Sequence, residues 1–461
     1  MNKNYMKIQQ LNCSNRLLII AFAIVLLSFV TSRNRLWAND SIPHLIREQQ
    51  DKTYTYLKIN KHPILNDPSD TMRRFWKLLD SLKTNKEKIV TIVHLGDSHI
   101  QAGFYSGTVM RLLQYKFGNA GRGWISPLRL IKSNEPNDYF WKSNVRTWYG
   151  GKIILRHPKY EYGPGGVGAY TKRSTANMSI LITPKNGKGY EFNKALIYRG
   201  TRALQEVPKN KKDFDYRSGD SILASSLLID TIYSSKLTNT LQLKSMRYYE
   251  NSKKLIPNKQ YHNVYYGASL TNGKPGILYH SIGVNGAMFV NYTRKQYIEQ
   301  LATLKPQLLI ISLGTNESFG RHFLQKEFAG QVTTFLHLVQ KNMPKTCILL
   351  TSPAECYKRI RNKRRHRVYV RNTNTEKVAK ALQTVAEKEN TAYWNLFEAT
   401  GGKGSCSNWY KEGLMASRRI HFQTEGYQTQ GYLLYQAIIN SYKSYKLRHI
   451  NVQESRPIKI K

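Results

Sequence analysis

The sequence predicts an α/β protein in three layers, a parallel sheet covered by helices, interrupted by a β-rich insertion. Two observations carry this reading. Strand-length apolar runs alternate with helix-period stretches in residues 39–133 and again in residues 275–446. Between them, residues 134–274 hold short alternating runs with turn signals and no helix-period stretch of useful length, the pattern of a sandwich or jelly roll.

Along the chain, Lys3, Lys7 and Arg16 precede an apolar run from Leu17 to Val30, shorter than the roughly 20 residues a membrane span needs. Residues 1–38 are therefore expected to be a signal peptide cleaved after Ser32 or Ala38, or an uncleaved N-terminal anchor, since Arg33 and Arg35 oppose translocation. Either implies export to a periplasmic, cell-envelope or extracellular location. Cys13 precedes the apolar run and is not placed as a lipoprotein cysteine. Ser69 is expected to cap a helix carrying Met72, Phe75, Leu78 and Leu79, followed by a strand from Ile89 to Leu95 and a helix through Met110, Leu112 and Leu113. After the β-rich middle come strands at Ile277–Ile282, Leu308–Leu313, Cys347–Leu350 and near Tyr393. Helices are expected from Thr293, Leu324, Glu376 and Gly426, and residues 447–461 as a frayed basic tail.

Composition narrows the function classes. Against 29 Asp and Glu stand 71 Lys and Arg, a formal net charge of +42. With 41% hydrophobic and 22% charged residues the chain has globular content, so disorder is excluded and the charge comes from missing acids. Four cysteines are too few for a disulfide scaffold. Cys356 and Cys406 are expected in loops, where in an oxidising compartment they either pair or stay free, and Cys347 in the core. No His and Cys cluster has metal-ligand spacing, and neither a metal nor a cofactor is indicated.

Four short segments carry chemistry. Gly96-Asp97-Ser98-His99 follows the first strand, Gly286 follows the strand at Ile277, Gly314-Thr315-Asn316-Glu317 follows the strand at Leu308, and Ile420-His421-Phe422 precedes the last helix. Strand carboxyl ends are where open α/β sheets build their sites. A serine hydroxyl there becomes a nucleophile when an imidazole takes its proton, and the negative charge that grows on an attacked carbonyl needs donors already aimed at it. Ser98, His421 and the Gly286 and Asn316 segments supply these residue types. His99 leaves the turn in another direction and is read as packing or substrate contact.

In order and context these blocks resemble the SGNH hydrolases, the GDSL esterase and lipase superfamily, over Lys88–Phe104 and Gly276–Lys443. The resemblance implies a flavodoxin-like three-layer fold with Ser98 as nucleophile, His421 as base, and an oxyanion hole from the Ser98 and Gly286 backbone N–H groups and the Asn316 side chain. One departure stands out: the family's orienting Asp, three residues before the His, is Arg418 here. Three explanations are open: a Ser–His dyad, a carboxylate from elsewhere with Glu317 or Glu412 as candidates, or a scaffold that only binds.

Some bacterial SGNH enzymes that deacetylate peptidoglycan carry a β-sandwich carbohydrate-binding module at the same point of the chain, and this protein resembles them in architecture. Its insertion holds Tyr139, Phe140, Trp141, Trp148, Tyr149, Tyr160, Tyr162 and Tyr170, each either core or a platform for sugar rings, with Trp141 and Trp148 taken as candidate substrate contacts. The run Lys358, Arg359, Arg361, Lys363, Arg364, Arg365, Arg367 and Arg371 contains no acid and is expected on the rim of the catalytic face. It is either a solvated loop or, with Arg418, a contact for an anionic polysaccharide. Nucleic acid is not expected, and membrane contact only through an uncleaved N-terminal segment. The resulting expectation is an exported serine esterase removing O-acetyl groups from a glycan, first of all peptidoglycan; the alternatives are a non-catalytic glycan binder and a glycan O-acetyltransferase.

Overall fold

Apolar, β-branched runs form the strands the sequence predicts. The computed structural model describes residues 64–454 apart from 85–86, 145, 159–160, 174, 201–202, 207–213, 218–226 and 248–262. The predicted signal or anchor, Cys13, Tyr160 and residues 455–461 lie outside the described residues. Among the described residues no helix is long and apolar enough to cross a membrane.

Helix α1 (Arg73–Thr84) leads to strand β1 (Ile89–Gly96), the short helix α2 (Ser98–Gln101) and helix α3 (Phe104–Phe117). The middle of the chain supplies strands β2 (Gly123–Ile125), β3 (Tyr139–Ser143), β4 (Tyr149–Lys152), β5 (Val167–Thr171), β6 (Thr175–Ile182), β7 (Phe192–Gly200), β8 (Ala203–Glu206), β9 (Phe214–Arg217), β10 (Leu227–Thr238), β11 (Thr240–Arg247) and β12 (Asn263–Thr271). Alternation resumes with β13 (Gly276–Gly283), α4 (Phe289–Tyr292), α5 (Lys295–Ala302), β14 (Leu308–Ser312), α6 (Gln325–Asn342) and β15 (Cys347–Thr351). Then follow β16 (Tyr357–Arg361), β17 (Arg367–Arg371), α7 (Asn374–Lys388), β18 (Ala392–Trp394), α8 (Leu396–Ala399), α9 (Ser405–Lys411) and α10 (Thr424–Glu454).

The parallel sheet has the order β13-β1-β14-β15-β18. Seven of the eight residues of β1 are buried, as its near-continuous apolar run requires of a strand covered on both faces. Helices α1, α3 and α10 pack together, as do α5, α6 and α7, giving the α/β/α layering. Asp67, not Ser69, serves the start of α1: its carboxylate accepts from the Thr71 and Met72 N–H groups at 2.8 and 2.9 Å, while Ser69 bonds Asn390. Instead of fraying after Leu447, the final helix continues to Glu454.

Two antiparallel sheets form from the middle of the chain. One is seven-stranded, in the order β4-β5-β12-β7-β10-β9 with β2 also on β12; the other has the order β3-β6-β11-β8. Strand β2 precedes residue 134, so the antiparallel part draws in a segment from before the expected start of the insertion. Trp141 and Trp148 are only 0% and 7% exposed, and Tyr139 and Tyr170 are also buried. The two tryptophans fill the core between strands, where no sugar ring reaches them, and their expected role as substrate contacts is corrected accordingly. Tyr149 stays exposed and stacks on Tyr170 with ring centroids 5.0 Å apart.

Of the two readings of Cys356 and Cys406, the unpaired one holds: both thiols, like that of Cys347, are buried and free. Cys356 Sγ lies 3.8 Å from Asn372 Nδ2 and Cys406 Sγ 3.5 Å from Met415 Sδ, so both act as small core side chains.

One polar row crosses the parallel sheet near its carboxyl end. His94 of β1 bonds the Tyr279 hydroxyl of β13 through Nδ1 and Ser312 Oγ of β14 through Nε2, each at 2.7 Å, and Ser312 Oγ bonds Thr351 Oγ1 of β15 at 2.7 Å. Burial lowers the His94 pKa to about 3, so the ring is neutral and joins its neighbours as one donor and one acceptor. A His94→Phe variant leaves the Tyr279 hydroxyl and Ser312 short of a partner and is expected to lose about 1–3 kcal/mol of stability, read by urea denaturation at neutral pH.

Candidate active site

The strands set the site. In the β1–β13 and β1–β14 registers Gly96 stands opposite Gly283 and Ser312, so three strands end at one level and their following loops open on one edge. A Cβ at Gly283 would stand 2.1 Å from Gln101 N, so only glycine lets α2 lie this close on the strand ends. Asp97 caps α2, its Oδ1 accepting from His99 N at 2.9 Å, which leaves Ser98 on the first position of the helix with its side chain facing the cleft.

Ser98 Oγ lies 2.9 Å from His421 Nε2, across 323 residues of sequence. An open cleft of about 630 Å³ holds both, together with Gly286 and Asn316, walled by Phe104, Phe319, Phe422 and Tyr427. The four segments singled out in the sequence therefore meet in one place. Gly286 has φ +81°, and a Cβ there would meet nothing within 4 Å, so the glycine answers a backbone conformation and leaves that side of the cleft open. Neither the Ser98 nor the Gly286 N–H donates a hydrogen bond among the described residues. Asn316 Nδ2 donates to Ala287 O at 2.9 Å and to Asp97 Oδ2 at 3.3 Å, tying the third loop to the first two.

Gln101 was not legible as a site residue, yet it braces the Gly286 loop. Its Oε1 accepts from Asn285 N at 2.8 Å, and its Nε2 donates to Asn134 O and Oδ1 at 2.9 and 2.8 Å. Tyr292 OH donates to Gly96 O at 2.8 Å, a second brace that only the three-dimensional arrangement reveals.

His421 sits on the turn after α9, where Ala416 N donates to His421 O at 2.9 Å. Among the described residues no carboxylate pairs with its ring. Burial, then His99 and Arg418, lower its pKa to about 4. Arg418, at the position three before His421, is exposed. The His99 ring packs behind His421, centroids 5.1 Å apart, with Nδ1 2.9 Å from the Tyr427 hydroxyl, and burial lowers its pKa to about 4. It takes the packing role of its two sequence readings.

Neither candidate orienter reaches His421. Glu317 is buried beneath the cleft, its Oε1 accepting from Phe289 N at 2.8 Å at the start of α4. Glu412 ends α9, its N–H donating to Asn408 O at 3.1 Å. Burial raises both Glu317 and Asp97 to about 7, with Asp97 adding to the Glu317 shift. Among the described residues no group of three His, Cys, Asp or Glu side chains is arranged to hold a metal ion.

The raised Glu317 carboxyl binds a proton in the folded state that the unfolded chain releases near 4.5. Its contribution to stability is therefore present below about 4.5 and lost as pH rises through about 7. Glu317→Gln keeps an acceptor for Phe289 N and removes this dependence. Compared by urea unfolding at pH 5 and pH 8, the wild type is expected to lose stability relative to the variant at the higher pH.

Residues 257–429 match the GDSL-like Lipase/Acylhydrolase family, a span that takes in Gly286, Asn316 and His421. The fold is similar to that of a solved peptidoglycan O-acetylesterase, with a TM-score of 0.65 and 19% identity over 82% of this chain and 99% of that one. A GDSL-like lipase from Bacteroides thetaiotaomicron is 17% identical over 35% of this chain and 76% of its own, with a TM-score of 0.27. A carbohydrate esterase family 3 protein from Talaromyces cellulolyticus is 14% identical over 36% of this chain and 73% of its own, also with a TM-score of 0.27. No curated protein matches the chain. Its α/β part shares the fold of SGNH/GDSL hydrolases, and residues 257–429 match their family.

Proposed function

We propose that the protein is an exported carboxylic ester hydrolase that removes O-acetyl groups from a glycan, with peptidoglycan as the first candidate, through an acetyl-Ser98 intermediate. The observation that carries this reading is the 2.9 Å contact between Ser98 Oγ and His421 Nε2 in an open cleft beside two uncommitted backbone N–H groups.

Ser98 O–H donates to His421 Nε2, which takes the proton as Oγ forms a bond to the acetyl carbonyl carbon. The carbonyl π electrons move onto oxygen, and the Ser98 and Gly286 N–H groups receive that charge; each such donor is worth roughly 3 kcal/mol of barrier. Asn316, whose Nδ2 holds Ala287 O and Asp97, reaches the oxyanion when it releases the longer bond to Asp97. Collapse breaks the bond to the sugar oxygen, which leaves with the proton from His421. Water then attacks the acetyl-serine, His421 taking one proton and returning it to Ser98 Oγ as acetate departs.

In this reading Ser98 and His421 work as a dyad, with Arg418 where the family's Asp would stand. A proton acceptor with a pKa near 4 is neutral through the physiological range, and an ester demands less of its base than an amide does. The similarity in fold to a peptidoglycan O-acetylesterase supports the choice of an acetylated glycan.

With a chromogenic acetyl ester, Ser98→Ala is expected to reduce acetate release by at least about 10³-fold. Unchanged release would overturn the esterase reading. As the base must be neutral, kcat/KM is expected to rise with pH through about 4 and then level off. Because Arg418 lowers the His421 pKa, Arg418→Gln is expected to move that limb to higher pH, measured as the pH of half-maximal kcat/KM.

A further inference from the structure

The basic run is not a loop. Strands β16 and β17 form a two-stranded antiparallel sheet of their own, closed by a turn in which Asn362 N donates to His366 O and Arg365 N to Asn362 O at 2.9 and 2.8 Å. Residues 357–370 contain no acid. Arg359, Arg361, Lys363, Arg364, Arg365 and Arg367 are exposed, and among the described residues none of them forms an ion pair. Arg371 differs: it pairs with Glu355 and, at 2.9 Å, with Glu376, and so fixes the base of the hairpin.

Strand alternation sorts these cations. The register sets Tyr357 opposite Arg371, Arg359 opposite Tyr369, and Arg361 opposite Arg367, all on one face. At the base of this face the Arg419 guanidinium lies 5.3, 5.9 and 4.2 Å from the ring centres of Tyr357, Tyr369 and Tyr410. Tyr357 N also donates to Arg419 O at 2.9 Å. Arg419 is two residues from His421, so the hairpin is fastened to the turn that carries the proposed base. From there a strip of cations runs outward through Arg359 to the Arg361 and Arg367 pair, about 13 Å along the strand.

Like charges directly opposite on a sheet face destabilise it, and nothing in the hairpin offsets Arg361 against Arg367. An anion lying across the pair would. We propose that this face of the hairpin is a docking strip for a carboxylate-bearing polysaccharide, whose acylated residues it delivers to Ser98. The delivery rests on the esterase reading; the docking does not. Guanidinium forks take carboxylates in pairs, and a summed field of this kind steers a polyanion in. The choice of a glycan follows from where the strip leads: a serine and oxyanion donors serve acyl esters, which sugar hydroxyls carry and nucleic acids lack. Ile360, 41% exposed, is the one large apolar side chain exposed among the described hairpin residues, too little for insertion into a lipid surface.

Docking is tested in the full-length Ser98→Ala protein, where it is read without catalysis and independently of whether Ser98 is a nucleophile. The probe is polygalacturonate, titrated calorimetrically at several salt concentrations, with double-stranded DNA and phosphatidylglycerol vesicles as competitors. Adding Arg359→Ser, Arg361→Ser and Arg367→Ser is expected to weaken binding at least tenfold and to flatten its salt dependence, while the thermal melt stays in place. Arg359→Lys, Arg361→Lys and Arg367→Lys, which keep charge but lose the fork, are expected to fall between, and they supply the reading if the serine variant does not fold. Equal affinity in wild type and variants would overturn the proposal, as would tighter binding to DNA or to the vesicles than to polygalacturonate.

Discussion

Everything at the site depends on β1 being paired on both sides in parallel register. Gly96 is level with Gly283 on one neighbour and Ser312 on the other, so the loops bearing Ser98, Gly286 and Asn316 leave the sheet side by side. The His94 row, two residues below Gly96, holds that level by joining four adjacent strands through side chains as well as backbone. The long excursion between β1 and β13 leaves this unharmed, because loop-closure entropy grows only slowly with length once the two strand ends are paired. Two antiparallel sheets can therefore grow within one crossover of an α/β fold without disturbing the edge where the loops converge.

The parallel sheet was legible because its strands are continuous apolar runs ended by glycine or polar residues, and burial on both faces permits little else. Its helices were legible to within a few residues for the same reason, their apolar spacing matching one buried face. The meeting of Ser98 with His421 was legible only through the order of the four blocks; nothing local to either residue reports a contact across 323 positions. Other features left no such trace. Trp141 and Trp148 look alike in sequence whether they face a sugar or a core, because an aromatic suits both, and only their burial in the folded chain settles it. Lys358–Arg371 carries Tyr, Ile and Val among its cations, yet its charge density hides a hairpin that Glu355 and Arg419 hold from outside the run.

Glu317 shows why a carboxylate next to a site residue in sequence need not reach the imidazole. Adjacent to Asn316, it is near the site along the chain, but the short 3₁₀ turn at Glu317–Phe319 carries its side chain under the cleft to Phe289 N. Proximity in sequence and proximity to an imidazole are different things on a turn that reverses within three residues.

Burial then acts on the titratable groups in one consistent way. It lowers His421, His99 and His94 and raises Asp97 and Glu317, in every case favouring the uncharged form. Asp97 and Glu317, raised to about 7, hold their protons below neutrality and release them above it, so negative charge beneath the cleft grows with pH while His421 stays neutral. An orienting Asp next to His421 would strengthen the base but add a permanent negative charge to that surface. With Arg418 in its position, the charges that arise in the proposed reaction are an imidazolium and an oxyanion, formed together and close to one another. In the proposed mechanism the oxyanion and the imidazolium stabilise one another, so proton transfer and carbonyl attack would favour each other within one step. In the proposed reaction such coupling would let a base with a pKa near 4 serve an ester, in a cleft whose loops are braced by the Gln101 and Tyr292 hydrogen bonds.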